Sequence, residues 1–202
     1  MIKAVVFDHG GVLADDIREK IVKHCADALG VQPKKLQRVL DNYINYFSLG
    51  KITEYKMWEH ICEDLNIRGI GVRSLWLEGF HSFFNRNEKM KILLFRLKKR
   101  GYKVGLLSNA EMPIVQLYLK EDYGETFDAL VFSCIEHVMK PDKKIFDAMR
   151  AKIGFKASEL VLIDDNKEHA EAAIKYGWNA IHYKNPHQTM DELRRLGVKF
   201  GN

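Results

Sequence analysis

At 202 residues, 47% of them hydrophobic, the chain suits one domain with a full core, or one domain carrying a smaller insert. Its longest apolar runs are far too short to cross a bilayer, which sets aside a helical membrane protein. The net charge of +5, from 32 basic and 27 acidic residues, and a pI near 9.0 are dispersed rather than blocked, so neither nucleic acid nor membrane is the expected partner, and a small anionic substrate suits the charge equally well.

Taken in chain order, the first element is a strand-length apolar run from Ile2 to Phe7 that ends in Asp8-His9-Gly10-Gly11. An aspartate that terminates a buried strand and enters a glycine pair stands at the sheet edge, where the backbone can approach a ligand, or it simply opens a turn. From 15 to 85 no strand is legible. Amphipathic helices are predicted over Asp16–Leu29, Pro33–Ser48, Thr53–Leu65 and Gly71–Phe84, with Pro33 at a first-turn position and Thr53-Glu54 as a helix start. A helical insert directly after the first strand would lie over the carboxyl edge of the sheet, where open α/β sheets bind ligands.

The alternation then begins. A helix over Glu88–Arg100 precedes a strand over Lys103–Leu107, which runs into Ser108-Asn109 and a helix from Glu111 or Pro113. A hydroxyl and fresh backbone amides at a helix start can hold phosphate oxygens, or serve as an ordinary cap. A strand over Ala129–Ser133 is followed by Lys140-Pro141-Asp142, in which Pro141 denies Lys140 the helical region and is expected to begin the next helix, over Lys143–Lys152. The alternative is a solvated surface lysine. The strand Leu160–Ile163 ends in Asp164-Asp165-Asn166, and two adjacent carboxylates at the tip of an apolar strand are costly unless a cation neutralises them. Magnesium, a hard ion that prefers oxygen ligands, fits best. A helix over Lys167–Tyr176 and a strand over Asn179–His182 follow, and Gly101, Gly154 and Gly177 are placed to stop the three helices before them. Lys98-Lys99-Arg100 and Arg194-Arg195 fall where helices should end, complementing the helix dipole. Near-continuous apolar strands alternating with helices imply an α/β, doubly wound parallel sheet.

Cys25, Cys62 and Cys134 are widely spaced with no C-x-x-C pair, so neither a disulfide framework nor a zinc site is expected. The N-terminus carries no signal-peptide pattern, and a cytoplasmic protein is the simple reading.

The order strand-Asp8, strand-Ser108-Asn109, Lys140-Pro141, strand-Asp164-Asp165 resembles the haloacid dehalogenase superfamily along nearly the whole chain. The insert between its first two motifs resembles that family's C1 cap, giving an expected division into a Rossmann-like core, 1–14 and 86–202, and a helical cap, 15–85. Leu49-Gly50-Lys51-Ile52-Thr53-Glu54 and the stretch from Asp164-Asp165-Asn166 to Gly177-Trp178-Asn179-Ala180 look like the branch of sugar-1-phosphate phosphatases. The resemblance implies a magnesium-dependent phosphatase acting on a small phosphorylated metabolite. In it Asp8 attacks phosphorus, Ser108 and Asn109 hold the phosphoryl oxygens, and Lys140 neutralises charge. Asp8, the Gly10 carbonyl, Asp164 and Asp165 organise Mg2+.

One position departs from the pattern. Most phosphatases of the superfamily carry an acid/base aspartate two residues after the nucleophile, where this chain has Gly10, and proton assistance is typically worth ~10²–10⁴-fold. A substrate with a good leaving group, His9 acting as acid, or a slow or non-catalytic phosphate-binding regulator each accommodates that glycine. A 2-haloacid dehalogenase is the nearest enzymatic rival, but those relatives need no metal and lack the paired acids. Specificity is expected from cap residues facing Asp8, with Tyr43, Tyr46, Phe47 and Trp76 as candidates that a helical core would explain equally well.

Overall fold

The computed structural model describes residues 1–68, 74–120 and 123–201. Five strands, β1 (Ala4–Phe7), β2 (Lys103–Ser108), β3 (Ala129–Phe132), β4 (Leu160–Asp164) and β5 (Asn179–His182), form one sheet in the order β3-β2-β1-β4-β5. Every pairing is parallel, and Val6 sits level with Gly105 on one side and Leu162 on the other. The chain therefore winds outward from β1 through β2 to β3, then returns to the far side of β1 for β4. That reversal opens a crevice at the carboxyl ends of β1 and its neighbours.

The apolar runs earn this position because each strand is covered on both faces. Val5, Phe7, Val104, Leu106, Val161 and Ile163 point into one core. Ala4, Val6, Leu107, Leu160 and Leu162 point into the other. Helices α9 (Lys143–Ile153) and α10 (Lys167–Lys175) fill the second face. A Cβ on Gly105 would lie 3.0 Å from Met149 Sδ, so that glycine lets α9 settle close to the sheet. The first face carries α5 (Glu88–Lys99), α6 (Met112–Lys120) and α11 (Pro186–Arg195). The short helices α7 (Tyr123–Thr126) and α8 (Ser133–Glu136) and a 3₁₀ turn, Ala157–Glu159, are also present among the described residues.

Among the described residues, the helices between β1 and α5 are α1 (Arg18–Leu29), α2 (Pro33–Ser48), α3 (Glu54–Leu65) and α4 (Leu75–Phe83). Pro33 occupies the first turn of α2, and the Thr53 hydroxyl accepts from the Lys56 amide at 3.2 Å to cap α3. Leu36, Leu40, Ile44 and Phe47, spaced by three and four, bury one stripe of α2 in a core continuous with that of the first sheet face.

The Leu49–Glu54 stretch proves to be the joint of this helical layer. Gly50 has φ +66°, and a Cβ there would stand 2.3 Å from the Cys134 carbonyl oxygen, so α2 meets α8 at a spot only glycine fits. Glu54, though buried, accepts three hydrogen bonds, from Trp58 Nε1 (3.1 Å), Ser74 Oγ (2.7 Å) and the Trp76 amide (2.8 Å), tying α3 to the start of α4.

Some boundaries move. The third strand stops at Phe132 because Ser133 opens α8, and its Oγ bonds the Ser48 carbonyl at 2.6 Å. Pro141 does not begin the next helix: Asp142 is its N-cap, accepting from the Lys144 amide at 2.9 Å, and the Lys140–Pro141 peptide is cis. The predicted first helix begins at Arg18 instead of Asp16, whose carboxylate accepts from the Arg18 amide at 3.1 Å. Residues 71–73 of the fourth predicted helix lie outside the described residues. Lys98-Lys99 and Arg194-Arg195 do close α5 and α11, while Gly101, Gly154 and Gly177 all adopt positive φ. The three cysteines form no disulfide, and burial pushes the Cys25 thiol up to about 12 and Cys134 to about 11. Among the described residues no helix is long and apolar enough to cross a membrane.

Candidate active site

Because β1 and β4 are neighbours in register, their carboxyl ends deliver Asp8 and Asp164 side by side. The Asp8 amide donates to the Ile163 carbonyl at 2.9 Å, continuing the ladder to the tip. Between the two carboxylates lies Lys140, buried to 2% exposure. Its Nζ sits 2.9 Å from Asp8 Oδ1 and 2.6 Å from Asp164 Oδ2. A buried ammonium this close to two carboxylates offsets a desolvation cost of several kcal/mol per ion only because all three are paired.

Lys140 is aimed by Asn109. The Asn109 Oδ1 accepts from the Lys140 amide at 2.9 Å, and its Nδ2 donates to the Lys140 carbonyl at 3.0 Å. This reciprocal clamp fixes the loop before α9 against the end of β2. Ser108, also buried, ends β2 beside it.

Charges in this cluster do not balance: one ammonium faces the carboxylates of Asp8, Asp164 and Asp165. Burial pushes the Asp8 carboxyl up to about 6, with Lys140 pulling the other way and Asp164 adding to the rise. Burial also opposes ionisation of Asp164, but Lys140 and His169 outweigh it and hold that carboxyl down at about 2. Burial would lower the Lys140 ammonium, yet Asp8 and Asp164 raise it above its ordinary value. A divalent cation would cancel the excess negative charge, and carboxylate oxygens are the donors a hard ion prefers. The carboxylates at the strand tips therefore fit magnesium.

Among the described residues, the side chains able to share an ion, with ligand atoms within 4.8 Å of one another, are Asp8, Asp164 and His169. Asp165, expected beside them, stands outside that group. Its carboxylate is turned against the Gly11 backbone, where a Cβ would lie 2.1 Å from Oδ2, and burial followed by the Asp164 charge raises its pKa. Gly11, at φ +76°, is needed both for the turn and for this close approach. Gly10 is exposed, has no positive φ and leaves open space where a side chain would go. His169 was not legible as a site residue: its Nδ1 lies 3.2 Å from Asp164 Oδ1, which also accepts from the Asn166 amide at 2.9 Å. Only the i+5 spacing from Asp164, one turn into α10, hinted at that contact.

His9 turns away from the carboxylates. It is 3% exposed, its Nδ1 is 2.9 Å from the Tyr118 hydroxyl, and its ring packs on Tyr118 and Phe84. Burial, then the Arg86 charge, lowers its pKa to about 3. A neutral imidazole in such a wall favours a packing role over that of an acid.

A cavity of about 170 Å³ opens from the strand tips, floored by His9, Gly10, Ser108 and Asn109 and roofed by α1, α4 and α6. Of the four cap candidates Trp76 alone lines it. Phe47 packs edge-on behind Trp76, Tyr43 bonds Asp64 at 2.8 Å, and Tyr46 is exposed.

The model of the haloacid dehalogenase-like hydrolases matches residues 2–177. The chain belongs to that family. It is 26% identical over 196 residues, 96% of either chain, to a sesquiterpene phosphatase of Aspergillus oryzae. An (S)-2-haloacid dehalogenase of Pseudomonas fluorescens is 28% identical over 101 residues, covering 50% of this chain and 44% of that one. Among solved structures, a haloacid dehalogenase family enzyme of Bacteroides thetaiotaomicron, in complex with magnesium and inorganic phosphate, superposes with a TM-score of 0.75 at 24% identity, over 91% of this chain and 95% of that one. The α/β sheet described above is thus the Rossmann-like core of this hydrolase family, carried here with a helical layer after β1.

Proposed function

We propose that this hydrolase is a magnesium-dependent phosphatase of a small phosphorylated metabolite, using Asp8 as nucleophile. One observation carries the reading: at the tips of adjacent strands, the buried Lys140 ammonium bridges Asp8 and Asp164 at 2.9 and 2.6 Å. Phosphoryl transfer needs positioning and cancellation of anionic charge more than covalent chemistry from the protein. Asp8, the Gly10 carbonyl and Asp164 would hold Mg2+, with Asp165 adding negative charge beside them and His169 orienting Asp164. When bound, the ion supplies charge neutralisation at the phosphoryl group. Ser108 and the Asn109 amide take the non-bridging oxygens, and Lys140 keeps Asp8 ionised and aimed. The Asp8 carboxylate attacks phosphorus, the leaving oxygen departs, and water then hydrolyses the aspartyl-phosphate, so one difficult step becomes two.

Residues 15–85 act, in this reading, as a C1-type cap over a core of 1–14 and 86–202. The sugar-1-phosphate branch draws less support, because Leu49–Glu54 serves to join cap helices and Trp178 serves to pack against Phe146. Dehalogenation is the weaker alternative, since it leaves the excess negative charge of Asp164 and Asp165 without a task.

Hydrolysis of acetyl phosphate, whose leaving group needs no proton, tests the reading. Turnover should require Mg2+, stop with EDTA and vanish in Asp8→Asn; activity that survives chelation would refute it.

A further inference from the structure

Resting on the phosphatase reading, we propose that the cavity selects monophosphates of compact apolar groups, aryl, acyl or branched alkyl, and discriminates against sugar phosphates. The floor residues Ser108 and Asn109 belong to the expected phosphoryl site, and His9 and Gly10 follow Asp8 directly, so the group that carries the phosphate has this cavity beside it. Its inner wall is Ile21, Trp76, Phe80, Phe84, Ile114 and Tyr118. Five of these six are buried, and Phe84 is half-buried. The rings brace one another: Phe80 stacks on Phe84 at 4.9 Å between centroids and meets Tyr118 at 6.1 Å, while His9 closes the side at 4.4 Å from Tyr118. A wall fixed in this way is preformed for a flat or branched apolar group.

Four of the polar side chains that line the same cavity have partners within the protein, and the charged ones, Asp15, Asp16, Arg18 and Glu111, stand apart from the ring-lined inner wall in the sequence segments 15–18 and 111. The Tyr118 hydroxyl is held with His9 Nδ1 at 2.9 Å. Glu111 Oε1 accepts from Ser48 Oγ at 2.9 Å. At the open rim, Asp15 Oδ2 accepts from Asn85 Nδ2 at 3.0 Å and Asp16 Oδ1 from the Arg18 amide at 3.1 Å. A sugar seated against the inner wall would bring several hydroxyls against carbon, and each one left without a partner weakens binding by about tenfold. An apolar group gains instead, at about fourfold per methylene removed from water. Aryl and acyl phosphates suit Gly10 as well, because their leaving oxygens need little protonation.

The test separates pocket from chemistry. Binding of methyl-, propyl- and isopentylphosphonate and of glucose 1-phosphate is measured calorimetrically on Asp8→Asn with Mg2+, beside acetyl phosphate turnover by the unaltered protein. Affinity should climb from methyl to isopentyl by tenfold or more, and glucose 1-phosphate should bind no better than methylphosphonate. Phe84→Ser should flatten the climb, lowering the isopentyl-to-methyl affinity ratio by threefold or more. A flat series in the unaltered pocket, or glucose 1-phosphate binding above isopentylphosphonate, overturns the inference whatever the variant does. Loss of acetyl phosphate turnover with the climb intact would overturn the phosphatase reading and leave the apolar pocket standing.

Discussion

Without the Lys140 ammonium, Asp8 and Asp164 would face each other across a buried gap with their shared partner gone. Breaking a buried pair by removing one member costs about 3–5 kcal/mol. Lys140→Met should therefore lower unfolding free energy in urea by about 3 kcal/mol in EDTA, and by clearly less in millimolar Mg2+, where an ion takes over the neutralisation. An equal loss in both conditions would mean that the ion does not take over the neutralisation when the ammonium is removed. At Gly10 the open space accepts a side chain without strain. Gly10→Asp should raise turnover of an alkyl phosphate by tenfold or more, toward the ~10²–10⁴ that proton assistance supplies, and leave acetyl phosphate nearly unchanged. Steady-state kinetics on the two substrates checks it. Asp8, Ser108, Lys140 and Asp164 were legible in the sequence because each ends a strand or precedes a proline, a local signal. The Asn109 clamp on Lys140 was not, since its partner lies 31 residues away. Nor was the turn of Asp165 toward Gly11, which depends on how two loops from different strands meet.

Helices and strands show the same division between local and distant causes. Thr53, Pro33 and the glycines after α5, α9 and α10 act within their own turns, so those ends could be read from composition. Ser133 opens a helix because its hydroxyl reaches the Ser48 carbonyl across the seam, and nothing local announces that. Gly50 lies on the same seam. Gly50→Ala would need both a left-handed backbone and space now filled by the Cys134 carbonyl. The variant should lose about 2 kcal/mol or more in urea unfolding. At the opposite end of the sheet, burial works against ionisation of Asp128, but the Lys103 ammonium at 2.7 Å and the Val104 amide at 2.9 Å prevail and lower its pKa. A depressed carboxylate contributes stability above its unfolded pKa, ~3.9, and loses it as pH falls through the lower folded value. Thermal melts of Asp128→Asn should accordingly lose less stability than the parent between pH 4 and the acid limit, roughly the window set by those two values.

For the molecule as a whole, parallel order and the reversal at β1 bring four separate stretches to one edge, and the helical layer after β1 roofs them. Alternating apolar runs foretold the sheet, while the identity of the roof's lining did not follow from helical periodicity, which cannot tell a stripe facing a core from one facing a cavity. Phe80 and Tyr118 belong to the buried core and line the cavity beside Ser108 as well. On the proposed reading, Asp8 receives the phosphoryl group in a site requiring a divalent cation. Rapid acid quench during acetyl phosphate turnover, followed by intact-mass and peptide mass spectrometry, tests it most directly. A single added phosphoryl group mapping to Asp8, absent with EDTA and absent from Asp8→Asn, is the predicted result. Steady hydrolysis by Asp8→Asn, or a phosphoryl group mapping to any other side chain, would contradict it.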